Sequence, residues 1–133
     1  MTPVFVDTGA WYALLNRLDR HHQDAVRFLA ENKRQLLTTN YIVTETVNLL
    51  NARAGHAAGG AFLERLRSSS AVSLHHIRPR EHRDAEEFFA RRPDKGFSLT
   101  ACSSFVVMGG LGLREAFAFD GHFLQAGFRL LPG

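Results

Sequence analysis

The chain has 133 residues, 45% of them hydrophobic and 22% charged, enough for one buried core and too few for two, so a single domain over residues 1–133 is expected. No apolar run approaches the roughly 20 residues that cross a bilayer, no charged segment followed by an apolar one opens the chain, and the lone Cys102 forbids an internal disulfide; membrane placement is excluded and a cytoplasmic protein expected. The net charge is +3 and fourteen of the sixteen basic residues are Arg, a bias that suits phosphate and permits a nucleic-acid partner, though an Arg-biased genome would leave the same mark.

Val4-Phe5-Val6 reads as a short buried strand ending at Asp7. Thr8 to Asn16 looks like the start of a helix, and His21 to Asn32 like a second, with Ala25, Phe28 and Leu29 at helical spacing. Leu36 to Thr39 is a second strand. Asn40 is placed to cap a helix from Tyr41 to about Arg53, which Gly55 stops. A helix over Ala57–Leu66, a strand over Ala71–His75 and a helix opened by Pro79 follow, the last ended by Pro93. Ser98 begins the helix SLTACSSFVVM, and Glu115 to Phe119 is a fourth strand ending at Asp120. A short helical turn over Gly121–Ala126 and an edge strand over Phe128–Leu131 complete the chain. Strands alternating with amphipathic helices predict an α/β domain around a mostly parallel sheet.

Four acids stand out from the solvated ones. Asp7 and Asp120 each follow an apolar strand, and the carboxyl ends of strands are where open α/β sheets place ligands. Helix capping is the competing role for both. Glu45 lies at the edge of an apolar helical stripe with Ile42 and Leu49, where a charge needs an Arg partner or a metal. Asp94, in PDKGFS, is equally explained by turn chemistry with Gly96. Convergent carboxylates without matching His or Cys ligands suit a hard cation, Mg²⁺ or Mn²⁺, and such a centre performs nuclease chemistry.

VFVDTGAWYALLN, LLTTNYIVTETVNLL, DKGFSLTACSSFVVM and AFAFDGHFLQAGF, in that order and spacing, resemble the PIN-domain family, and within it the VapC toxins of bacterial toxin–antitoxin pairs. The resemblance covers essentially the whole chain. It implies a Rossmann-like α/β/α sandwich, an acidic pocket binding Mg²⁺ or Mn²⁺, and endonucleolytic cleavage of RNA. By position, Asp7, Glu45 and Asp120 match the family's acids, and Asp94 matches an acid frequent in this subgroup. Thr8 matches the hydroxyl residue that supports the first aspartate, and Ser98 is taken with it as a supporting residue. A homodimer and a neutralising VapB-type antitoxin are implied as partners.

Ala101 departs from the pattern: the family usually has Asp there, as a principal metal ligand, and a methyl group coordinates nothing. The resemblance therefore implies an impaired or inactive enzyme at this position. An engineered Asp-to-Ala change and a natural pseudoenzyme both fit, the intact surrounding motifs favouring the first. The alternative function is a catalytically dead PIN-like module that binds RNA or antitoxin without cleavage. Asp-Thr-Gly also occurs in aspartic proteases, but their all-β fold conflicts with the helical patterns here. Cys102 reads as a small buried residue, and His21-His22 and His75-His76 as surface or strand-end residues. His122 is open to capping or phosphate contact, and Trp11 or Tyr12 to core packing or a partner groove.

Overall fold

Strands and helices alternate along the chain as β1 (Val4–Val6), α1 (Thr8–Leu15), α2 (His22–Glu31), β2 (Leu36–Thr39), α3 (Asn40–Ala54), α4 (His56–Ser68), β3 (Val72–His75), α5 (Pro79–Ala90), α6 (Leu99–Leu111), β4 (Glu115–Phe117), α7 (His122–Gln125) and β5 (Arg129–Leu131). This computed structural model describes residues 1–133. The sheet order is β3-β2-β1-β4-β5, and every neighbouring pair is parallel. That arrangement excludes the all-β protease alternative.

β1 is the central strand, with Phe5 opposite both Leu37 and Ala116. A strand with neighbours on both edges and helices over the sheet has no solvated side, so it reads as an unbroken apolar run, and all three of its residues are buried. The chain steps outward from β1 to β2 and β3, then returns to place β4 on the other side. The order thus reverses at β1, and the crevice outside the carboxyl ends of β1 and β4 is the topological switch point of this sheet.

The core is dominated by phenylalanine. Phe5, Phe117 and Phe123 are wholly buried, and Phe105 stands edge-on to Phe123 with ring centroids 5.1 Å apart. On the other flank α3 packs against α1 and α4. A Cβ at Gly59 would stand 3.3 Å from Val47 Cγ1, so glycine lets α4 lie close on α3. No buried side-chain nitrogen or oxygen lacks a hydrogen-bond partner.

Two local expectations are corrected. The fourth strand ends at Phe117, not Phe119, so Asp120 sits at the end of a short extended exit rather than on the strand itself; only Ala118 N–H still bonds across, to Leu131 O at 3.2 Å. Asn40 does not cap α3. Thr39, still extended as the last residue of β2, takes that role, its hydroxyl accepting from Ile42 N–H at 3.2 Å. Asn40 Oδ1 instead accepts from Ile77 N–H at 2.7 Å, tying α3 to the segment after β3.

Candidate functional site

Asp7 leaves β1 at the switch point, its N–H bonded to Phe117 O of β4 at 3.1 Å. It is the N-cap residue of α1, yet its side chain makes no capping hydrogen bond. No side-chain cap on α1 thus competes for it, whereas Asp120 does serve the start of α7, where its Oδ1 meets the His122 N–H. Burial pushes its carboxyl from 3.8 up to about 7. The negative charges of Asp120 and Glu45 add to the rise, while the Thr8 and Gly9 amides oppose it. Glu45 and Asp120, far from Asp7 in sequence, are thus near enough for their charges to act on it.

Glu45 is exposed on α3, not at a buried apolar edge as expected, and is held from α1. Thr8, buried in the first turn of α1, donates its hydroxyl to Glu45 Oε1 at 2.5 Å. Thr8 therefore fixes the second acid, not the first as the resemblance implied. Asp120 Oδ1 accepts from His122 N–H at 2.9 Å, and the His122 imidazole lies 3.4 Å from the same oxygen. His122 thus serves Asp120 directly, and its ring packs edge-on to Phe97.

At the base of the pocket Thr38 Oγ donates to Val6 O at 3.0 Å and accepts from Trp11 Nε1 at 3.3 Å. Trp11 is core and spends its one donor there. Ser98 accepts from Ala101 N–H at 3.0 Å as the N-cap of α6. Ala101 is 7% exposed and joins the apolar core. Asp94 is exposed, and its charge is not among those acting on Asp7, so the structure does not bring it into the cluster. Cys102 is buried, and burial pushes its thiol up, away from nucleophilic character.

Sequence reasoning missed residues on the same edge of the sheet. Tyr41, one helical turn before Glu45, pairs its hydroxyl with His82 Nδ1 at 2.9 Å. His75 Nε2 lies 3.0 Å from Glu81, as a strand-end residue. Burial works against the Glu81 anion, but the Arg78 amide and His75 outweigh it and hold the carboxyl below its ordinary range. The hydroxyl at 41 and the imidazole at 82 carry no motif; only their separation by one strand–helix unit could have suggested a meeting.

The donors are carboxylate oxygens, which suit Mg²⁺ or Mn²⁺ and not a thiophilic metal. A carboxyl pushed toward neutrality first by burial and further by two neighbouring acids is an environment that a dication relieves. The donor chemistry therefore fits. The number falls short, since no three carboxylate, imidazole or thiol groups are gathered closely enough to enclose a metal.

Comparison with known proteins followed the same lines. The PIN domain family matches residues 4–128. The 23S rRNA-specific endonuclease VapC20 of Mycobacterium tuberculosis is 38% identical over 125 residues, covering 94% of this chain and 95% of that protein. A VapC ribonuclease of Archaeoglobus fulgidus is 33% identical over 123 residues, covering 89% of this chain and 77% of the relative. The crystal structure of VapC20, described as a Sarcin-Ricin loop cleaving toxin, superposes with a TM-score of 0.89 at 37% identity over 94% of this chain and 95% of that one. DNA-bound VapBC from Salmonella typhimurium shares the fold, with a TM-score of 0.68 at 14% identity over 98% and 97% of the two chains.

Proposed function

The chain belongs to the PIN-domain family, and from that footing we propose that it is a VapC-type toxin, an endoribonuclease that hydrolyses RNA phosphodiesters with Mg²⁺ or Mn²⁺ and is impaired by alanine at position 101. The observation that supports the reading is the Thr8 hydroxyl, next in the chain to Asp7, donating to Glu45, with the charges of Glu45 and Asp120 both acting on Asp7. Since a relative with 38% identity is a 23S rRNA-specific endonuclease, ribosomal RNA is the first substrate to try.

A bound cation would neutralise the pocket and stabilise charge developing on the phosphodiester. Asp7 and Asp120 would hold it; His122 fixes the orientation of Asp120 by its backbone N–H. Glu45, anchored by Thr8, would orient the water that attacks phosphorus in line with the departing ribose oxygen. The P–O bond to that oxygen would break as the new one forms, the water's proton passing through solvent to the leaving alkoxide. Ala101 offers no oxygen, so this position would contribute no ligand to a bound cation and no clamp on the transition state. Asp94 stays a subsidiary candidate, able to act only if its loop moves toward the pocket on binding RNA. The same reading brings a cytoplasmic setting, a VapB-type antitoxin and a homodimer.

A second reading, binding of RNA or antitoxin without cleavage, is favoured by one observation: the Ala101 methyl is packed into the core as a structural residue. One experiment separates the two. Cleavage of 23S rRNA by the parent and by Ala101→Asp is followed with Mg²⁺, with Mn²⁺ and with EDTA, circular dichroism confirming the fold. Restoring an electrostatic clamp is expected to raise the rate by about 10²-fold or more, with EDTA abolishing it. A folded Ala101→Asp variant that cuts no RNA in either metal overturns the enzyme reading in favour of the binder.

A further inference from the structure

We propose that the His21 imidazole, stacked on Phe119, is a platform that holds an unpaired RNA base beside the scissile phosphodiester; the proposal rests on the ribonuclease reading above and names the part of its substrate that is gripped.

Three rings lead outward at the carboxyl edge of β4. Phe117 is wholly buried, Phe119 is half-buried with its centroid 6.1 Å from Phe117, and His21 is half-buried and lies 4.2 Å from Phe119, its plane within 3° of parallel. Phe119 is the residue immediately before Asp120, so the stack stands one residue from an acid of the proposed site. α2 ends where the chain turns into β2, at the opposite edge of the sheet, and this sets its first residues at the edge where Asp7 and Asp120 emerge.

His21 has no local reason to be there. It occupies the N-cap of α2, a position that favours Ser, Thr, Asp or Asn, and its side chain makes no capping hydrogen bond. The polar work of the turn is done by Asp19, whose carboxylate accepts from His21 N–H at 2.9 Å. The imidazole is instead fixed twice: by the Phe119 face, and by exposed Arg20, whose Nε donates to His21 Nε2 at 3.1 Å. A flat ring held rigid, partly open to solvent and carrying a guanidinium at its rim offers a nucleotide a π-face for its base and a cation for its phosphate. Such a surface takes unstacked bases of loops and bulges and refuses paired ones. The substrate class is therefore RNA with an unpaired nucleotide next to the cut.

The test uses an RNA hairpin with 2-aminopurine placed in turn at each loop position, titrated with the parent protein in Mg²⁺, where cleavage is slow. One position is expected to show quenched fluorescence on binding. His21→Asn should abolish that quench and weaken binding about tenfold, whereas His21→Phe, which keeps the flat ring and loses the hydrogen bond, should retain both. In the Ala101→Asp background His21→Asn should place most of its loss in KM rather than kcat. Melting curves check that each variant folds, and Phe119→Leu, which removes the support beneath the imidazole, gives the same result should His21→Asn prove unstable. Unchanged quench and unchanged KM in His21→Asn, or failure of His21→Phe to retain them, overturns the platform while leaving RNA cleavage standing. An Ala101→Asp protein that cuts no RNA removes the ribonuclease reading and the platform together.

Discussion

Asp7→Asn should stabilise this protein, and the gain should grow with pH. The folded carboxyl titrates near 7 against an ordinary 3.8. Between those values the folded chain keeps a proton that the unfolded chain has released. Folding stability therefore falls as pH rises from about 4 to about 7, and is level on either side. Roughly three pKa units at about 1.4 kcal/mol each set a ceiling of about 4 kcal/mol on the cost of ionising Asp7 in place. Asp7 retains a partial opening to water, and water in that opening screens the charge, so about 2 kcal/mol is the expected net gain above pH 7. For a chain of this size that is an increase in Tm of about 6–10 °C. The assay is thermal melting of parent and Asp7→Asn in EDTA from pH 4 to pH 8.5. The two curves should meet near pH 4 and separate steadily to pH 7. At pH 8, Mg²⁺ or Mn²⁺ should narrow the gap by stabilising the parent alone. A gap independent of pH, or a parent more stable than Asp7→Asn at pH 8 without metal, would refute the claim that burial and two neighbouring acids hold Asp7 near neutrality.

Three further outcomes follow from other contacts. Thr8→Val removes the donor to Glu45; it should slow cleavage by Ala101→Asp at least tenfold, while urea titration shows a loss of about 1–2 kcal/mol, and an unchanged rate would release Glu45 from its assigned part. Thr38→Val leaves the buried Trp11 indole without its acceptor and should cost about 2 kcal/mol, with a blue shift in Trp emission if the ring moves deeper; a loss under about 0.5 kcal/mol would show that the indole finds another partner. Ser98→Ala should cost about 1 kcal/mol through the lost cap on α6, and Ser98→Asp should recover it, because the cap needs only an oxygen at that place; equal melts for all three would dismiss the cap.

What could be read in the sequence was whatever burial writes locally. VFV and LLTT are apolar or β-branched because strands inside a parallel sheet have no wet face, and the structure buries every residue of both. The acids at 7 and 120 could be noticed because each follows such a run, although Asp120 proves exposed and only Asp7 is largely enclosed. The partnerships could not be read. Thr8 meets Glu45 across 37 positions and Tyr41 meets His82 across 41, and polar pairs of that kind leave no periodic trace in either segment. Asn40 shows the limit at short range. Its preference for helix N-caps is real, but Thr39 already had the extended backbone a cap requires, and the Asn side chain was left to serve Ile77.

Position 101 sets stability against chemistry in opposite directions. Asp7 already carries an ionisation cost from burial and from two acids. On the proposed reading another carboxylate at 101 would add to that repulsion whenever the cation is absent, and the buried methyl removes it. The same exchange deprives the cation of a ligand. Ala101→Asp should therefore melt below the parent in EDTA and recover in Mg²⁺ or Mn²⁺, a metal response larger than the parent's own. If Ala101→Asp melts with the parent in EDTA and metal shifts neither, residue 101 does not face the acids at all, and its alanine is a core residue with no bearing on catalysis.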